Sequence, residues 1–208
     1  SIKKMHILCL GLFLQHLRFV ATRVANAKAW FTRGLDGKLL LPPQIRRVII
    51  EVGVWRRSSF LNHLKQADDL VVIGFEPLFR MARRHPDHPR LQIIEAAVAT
   101  ADTGSETTFH AFRRDDSAFS SLLRLSEGQE ACGKDGGYDV KVPVLPLEEL
   151  LEQIPSHVEV PLVKVDAQGA DLNVVLSAGL MIRRVGRFLV EAQDLPPGHQ
   201  DLLYKMQP

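Results

Sequence analysis

The chain has little of what staples a fold covalently or through metal. Only Cys9 and Cys132 occur among 208 residues, so neither a disulfide framework nor a four-thiolate zinc site is available within one chain. No apolar run approaches the ~18 residues that a membrane span requires, and no internal repeat or low-complexity block interrupts the sequence. Excess charge is also missing. A formal +2 is too small to argue for a nucleic-acid or membrane partner, which normally needs a concentrated basic face. The Arg-Arg doublets at 46–47, 56–57, 83–84, 113–114 and 183–184 are spread along the chain and read as solvated helix faces and strand entrances. What remains is ordinary for one globular domain with one core: 46% hydrophobic and 24% charged residues.

At the amino terminus, Lys3 and Lys4, the apolar stretch Ile7 to Leu14 and Ala25-Asn26-Ala27 loosely imitate a secretory signal. Gln15, His16 and Arg18 break the apolar region too soon. An amphipathic helix over roughly residues 5–30 accounts for the same residues, with Leu10, Leu14, Leu17, Ala21 and Val24 at helical spacing. A cytoplasmic location is favoured on this reading. Residues 1–44 are expected to form this helix and its connection to a domain at 45–208, the break falling in Gly34 to Pro43 with Asp36-Gly37 and Pro42-Pro43.

From residue 48 the pattern alternates. Strand runs are expected at Val48 to Ile50, Leu70 to Phe75, Leu91 to Val98, Leu162 to Val165 and Phe188 to Val190. Helices are expected at Ser58 to Gln66, Leu78 to Arg84, Leu147 to Gln153 and Ala170 to Ala178. Strands that are apolar throughout, each followed by a helix, indicate a mostly parallel sheet covered by helices on both faces, a Rossmann-like α/β fold. Glu106 to Phe112 and Val140 to Leu145 alternate more strongly and read as half-buried strands around a Ser/Gly-rich connection.

Four strands end in a carboxylate: Glu51, Glu76, Asp166 and Glu191. Open parallel sheets bind ligands beyond the carboxyl ends of their strands. Glu76, some twenty residues past the Gly53 turn, stands where nucleotide-binding sheets hold ribose hydroxyls. A dinucleotide site calls for G-x-G-x-x-G, but the loop reads Glu51-Val52-Gly53-Val54-Trp55-Arg56-Arg57, and a pyrophosphate would sit unfavourably beside Glu51. S-adenosylmethionine carries a sulfonium and an amino group and no phosphate, so an acidic loop favours it.

These residues resemble the FkbM-type methyltransferases. The similarity spans roughly residues 45–193 and rests on Glu51-Val52-Gly53, Phe75-Glu76-Pro77 and Lys164-Val165-Asp166-Ala167-Gln168-Gly169. Smaller matches are Glu95-Ala96-Ala97-Val98, Phe119-Ser120-Ser121-Leu122-Leu123 and Val144-Leu145-Pro146-Leu147. The resemblance implies a class I methyltransferase fold using S-adenosylmethionine. Glu51 and Gly53 would line the methionine end of the cofactor, Glu76 with Pro77 the ribose, and Ala97 the adenine. Asp166 and Gln168 would face the reacting centre, while Lys164 would be structural. The family's first loop continues with small residues and a second glycine where Trp55, Arg56 and Arg57 stand here. Seventeen residues follow Glu191 in this chain of 208, so the last strands of a seven-stranded sheet are expected to be missing or supplied by the middle segment. Both departures bear on activity more than on fold.

The function expected is O-methylation of a hydroxyl on a sugar or small metabolite, with Asp166 orienting or accepting the acceptor's proton. The alternatives are a degenerate domain that binds a ligand or partner without catalysis, and a nicotinamide-dependent oxidoreductase, which the missing glycines disfavour. His110 is a second candidate base, its place in an alternating strand fitting a structural histidine better. His85 and His88 are flanked by prolines, which suits a turn and not a metal-binding helix, so no metal is expected. No Gly-x-Ser-x-Gly elbow supports a hydrolase. Trp30 and Trp55 could stack on ligands, although packing is the commoner use of each.

Overall fold

The structure is a computed structural model of the 208-residue chain and describes residues 23–25, 27–112, 120–124 and 137–191. Six strands form the main sheet: β1 (Arg23–Ala25), β2 (Arg47–Val52), β3 (Leu70–Phe75), β4 (Leu91–Glu95), β7 (Glu159–Val165) and β8 (Phe188–Val190). A separate antiparallel ribbon consists of β5 (Glu106–Phe112) and β6 (Gly137–Pro143). The main sheet runs β1-β4-β3-β2-β7-β8. All its neighbours are parallel except β1, which pairs antiparallel with β4. From β2 the chain winds outward through β3 and β4, then crosses back to place β7 on the other side of β2. The winding therefore reverses between β2 and β7, which is where such sheets open a crevice.

Alternation along each strand supplies two faces, and both are buried. Val48, Ile50 and Val52 of β2, with Val71, Ile73 and Phe75 of β3, join one core cluster with Leu147, Leu150 and Leu151 of α3 (Leu147–Gln153) and Val174 of α4 (Asp171–Leu176). Ile49, Leu70 and Val72 turn to the opposite face, against Leu61 and Leu64 of α1 (Leu61–Gln66) and Ala82 of α2 (Phe79–Ala82). Each fully buried aliphatic side chain contributes ~1.5–3 kcal/mol. The expected mostly parallel, doubly covered sheet is thus what the chain forms.

Two features depart from the sequence reading. Arg23–Ala25 is a strand and not the end of a helix, its register running Arg23 to Glu95 and Ala25 to Ile93; the unpaired backbone edge of β4 outcompetes a local helix for these residues. The rest of that helix up to residue 22, the signal-like segment and both cysteines lie outside the described residues. Trp30, Phe31 and Leu39 belong to the same core cluster as β2 and β3. Three helices are also shorter than expected, whereas Leu147–Gln153 has the expected bounds, and Gly179–Arg184 forms a 3-10 turn after α4.

Candidate functional site

Beyond the carboxyl ends of β2, β3 and β7 lies a half-open cleft of about 760 Å³, its open mouth included. The backbone comes together tightly here. Gly53 has φ +79°, and a Cβ on it would lie 1.9 Å from the Asp166 carbonyl oxygen. Only glycine allows β2 and β7 to approach so closely while the chain turns. Asp166 N–H donates to Val52 O at 3.0 Å, locking the two strand ends together.

Glu76, at the end of β3, is 5% exposed and borders the cleft. Its Oε2 accepts from Trp55 N–H at 2.9 Å and its Oε1 from Leu78 N–H at 3.0 Å. Burial raises its pKa to about 7, against the pull of those two N–H groups. Pro77 and Ala97 also line the cleft, beside Phe75, Leu78 and Phe109. Ala97 is fixed there by backbone bonds, its N–H to Pro143 O and its carbonyl from Leu145 N–H.

On the opposite wall stand Asp166 and Gln168. Gln168 has φ +50°, and its Nε2 donates to Asp166 Oδ1 at 2.8 Å and Glu191 Oε2 at 3.0 Å. Partial burial works to raise the Asp166 pKa, but hydrogen bonding with Glu191 and Gln168 and the Lys164 ammonium, 3.4 Å away, hold it below the ordinary carboxyl value. Glu191 moves the other way, to about 7, through its hydrogen bond with Asp166, burial, and the Asp166 and Asp171 charges. Asp171 holds the turn from beneath, accepting from Ala167 N–H at 2.8 Å and Gly169 N–H at 2.9 Å. Ser121 donates to Gln168 O at 2.7 Å, so the Ser-Ser-Leu segment seats against the same turn.

Of the residues singled out from sequence, Gly53, Glu76, Pro77, Ala97, Asp166 and Gln168 meet around this one cleft. Glu51 is placed differently. Its carboxylate is 1% exposed and accepts from Ser58 Oγ at 2.6 Å and Ser59 N–H at 3.1 Å, with Lys164 Nζ 3.7 Å away. It sits beneath the loop and is not part of the cleft lining. His110 Nδ1 donates to Asp139 Oδ1 at 2.6 Å on the ribbon, and His110 is not among the residues that line the cleft. His85 Nε2 donates to Trp55 O at 2.9 Å, whereas His88 Nδ1 accepts from Arg90 N–H at 3.2 Å; the two rings serve different partners.

The role of Asp171 was not foreseen, although an acidic residue in the first turn of a helix is a sequence signal for its start. Nor was the conformation of Trp55, which adopts a left-handed backbone with φ +51°. Trp55 lines the cleft, and the Arg56 guanidinium lies 4.7 Å from its ring centre.

No curated protein and no solved structure matches the chain. The family model described as the Methyltransferase FkbM domain matches residues 48–207, a span that carries every strand end bordering the cleft. The chain belongs to the FkbM methyltransferase family.

Proposed function

We propose that this chain is an S-adenosylmethionine-dependent methyltransferase whose acceptor is a hydroxyl group of a sugar or small metabolite. The observation that carries the cofactor is the charge of the cleft: among the described residues its lining includes the carboxylates Glu76 and Asp166 and no Lys, Arg or His. Such a lining suits a cationic nucleoside and opposes a pyrophosphate, which disfavours a nicotinamide dinucleotide.

In this reading Glu76 accepts from the ribose hydroxyls, with Pro77 shaping that corner. Ala97 and its apolar neighbours border the adenine, and Gly53 leaves room at the methionine end. Glu51 serves from beneath, by fixing Ser58 and Ser59. When bound, the cofactor supplies a methyl group on a sulfonium, an electrophile that needs no covalent enzyme nucleophile. The protein's share is positioning, exclusion of water and management of one proton. Asp166, held ionised at the rim, takes the acceptor hydroxyl's proton, and Gln168 orients the carboxylate that receives it.

The altered loop Trp55-Arg56-Arg57 motivates a second reading, a domain that keeps the cleft but transfers nothing, because bulky residues stand where the family's loop has small residues and a second glycine, and Trp55 borders the cleft. Calorimetry separates the two. Binding of S-adenosylmethionine and S-adenosylhomocysteine is expected, and no heat at millimolar ligand overturns the enzyme. Binding of NAD without a response to S-adenosylmethionine would restore the oxidoreductase.

A further inference from the structure

The two histidines of the turn after α2 have unequal surroundings. His85 is 6% exposed. Its Nε2 lies 2.9 Å from the Trp55 carbonyl oxygen, which can only accept, so Nε2 carries the hydrogen. Nδ1 is then a bare lone pair, and among the described residues it has no hydrogen-bond partner. Burial pushes the His85 pKa below its usual value, against the bond to Trp55 and the Glu51 charge, so the ring is neutral at neutral pH. A buried imidazole with one nitrogen left unsatisfied costs stability. What it holds in exchange is one carbonyl of the loop that borders the cleft.

That carbonyl belongs to a residue in an unfavourable conformation. Trp55 has φ +51°, a left-handed backbone that a bulky side chain adopts only when its surroundings impose it. Its N–H donates to Glu76 Oε2 at 2.9 Å, and Oε1 of the same carboxylate accepts from Leu78 N–H at 3.0 Å. The segment from Glu76 to His85, with α2 inside it, therefore grips Trp55 at both ends: Glu76 takes the N–H and His85 the carbonyl. Were Trp55 to rotate, its N–H would leave Glu76, and the carboxylate would lose one of the two bonds that fix it at the cleft wall. We propose that His85 is a positioning residue for the cleft: its Nε2 hydrogen keeps Trp55 left-handed, and through Trp55 it keeps the Glu76 carboxylate in place for its ligand. His88, three residues on, accepts from Arg90 N–H and has no part in this clamp. That the ligand is S-adenosylmethionine rests on the proposed function; the clamp itself does not.

Nitrogen NMR, amide exchange and calorimetry test it. In the unaltered chain at neutral pH, His85 should carry its one ring hydrogen on Nε2; a hydrogen on Nδ1, or a doubly protonated ring, overturns the proposal. His85→Phe keeps a planar ring and loses the donor, so exchange of the Trp55 N–H should quicken, and S-adenosylhomocysteine binding weaken, each by about tenfold. His85→Gln returns an N–H donor to the place of Nε2 and should recover most of both losses. His88→Phe should change neither. Unaltered exchange in His85→Phe overturns the proposal. Equal losses in His85→Phe and His85→Gln do so too, because the packing of the ring and not its N–H would then be what counts. Far-UV circular dichroism checks folding, and where His85→Phe does not fold, His85→Met removes the donor with a more adaptable side chain. No heat from S-adenosylhomocysteine with the unaltered chain overturns the proposed cofactor, while the exchange of Trp55 N–H still decides the clamp.

Discussion

A carboxylate that is 5% exposed and holds two backbone N–H groups has little freedom to turn, so its protonation decides what it can receive. Hydroxyl donors need the ionised form of Glu76. Cofactor affinity is therefore expected to rise as pH increases through about 7, and calorimetry across that range would show it. Glu76→Ala should cost about 1–3 kcal/mol of binding; an unchanged affinity would place the ribose elsewhere. Stability follows the opposite course. The folded state keeps the Glu76 proton up to about 7 while the unfolded chain loses it near 4.5, so this contribution is complete below the lower value and disappears through the upper one. The melting temperature should fall over that window. Glu76→Gln should remove part of the slope, leaving the part due to Glu191, whose pKa is raised in the same direction. At Trp55 the left-handed backbone, φ +51°, sets a different test. Trp55→Gly should be tolerated, whereas the β-branched Trp55→Val should lose about 1–2 kcal/mol in denaturant melts. Equal loss from both would mean that the ring, and not the backbone, is what matters there.

Among the elements, the turn from Asp166 to Gly169 depends on contacts that come from distant parts of the chain. Gly53→Ala would drive a Cβ into Asp166 O and is expected to destabilise by more than ~2 kcal/mol, seen as a large drop in melting temperature. Asp171→Ala removes the acceptor of two N–H groups and should cost about 1–3 kcal/mol, with Asp171→Asn losing less. The parallel strands were legible because unbroken apolar runs such as Leu70 to Phe75 have few alternatives once helical segments follow them. Helix limits were less so, because Ser58 is drawn out of α1 by Glu51. That same bond explains why Glu51 could not be placed from sequence: a carboxylate at a strand end reads alike whether it faces the ligand or the loop beneath it. The left-handed conformations of Trp55 and Gln168 leave no trace in residue type, since both are imposed by tertiary hydrogen bonds.

For the molecule as a whole, the switch between β2 and β7 gathers Gly53, Glu76, and the pair Asp166 and Gln168 from three well-separated parts of the chain. Carboxylates at the ends of several strands pointed to this convergence better than any single motif did. Strand β1 could not be anticipated, because its pairing with β4 depends on a vacant edge that exists only once the sheet is assembled. The central place of β2 also shapes how the chain comes to be folded. Ile50 must wait for Val163 to leave the ribosome before its second flank is satisfied, so a nascent chain ending near residue 150 would hold a half-built sheet with a sticky inner margin. Assembly governed by such distant closure is slow, and chaperone engagement should be greatest at those intermediate lengths.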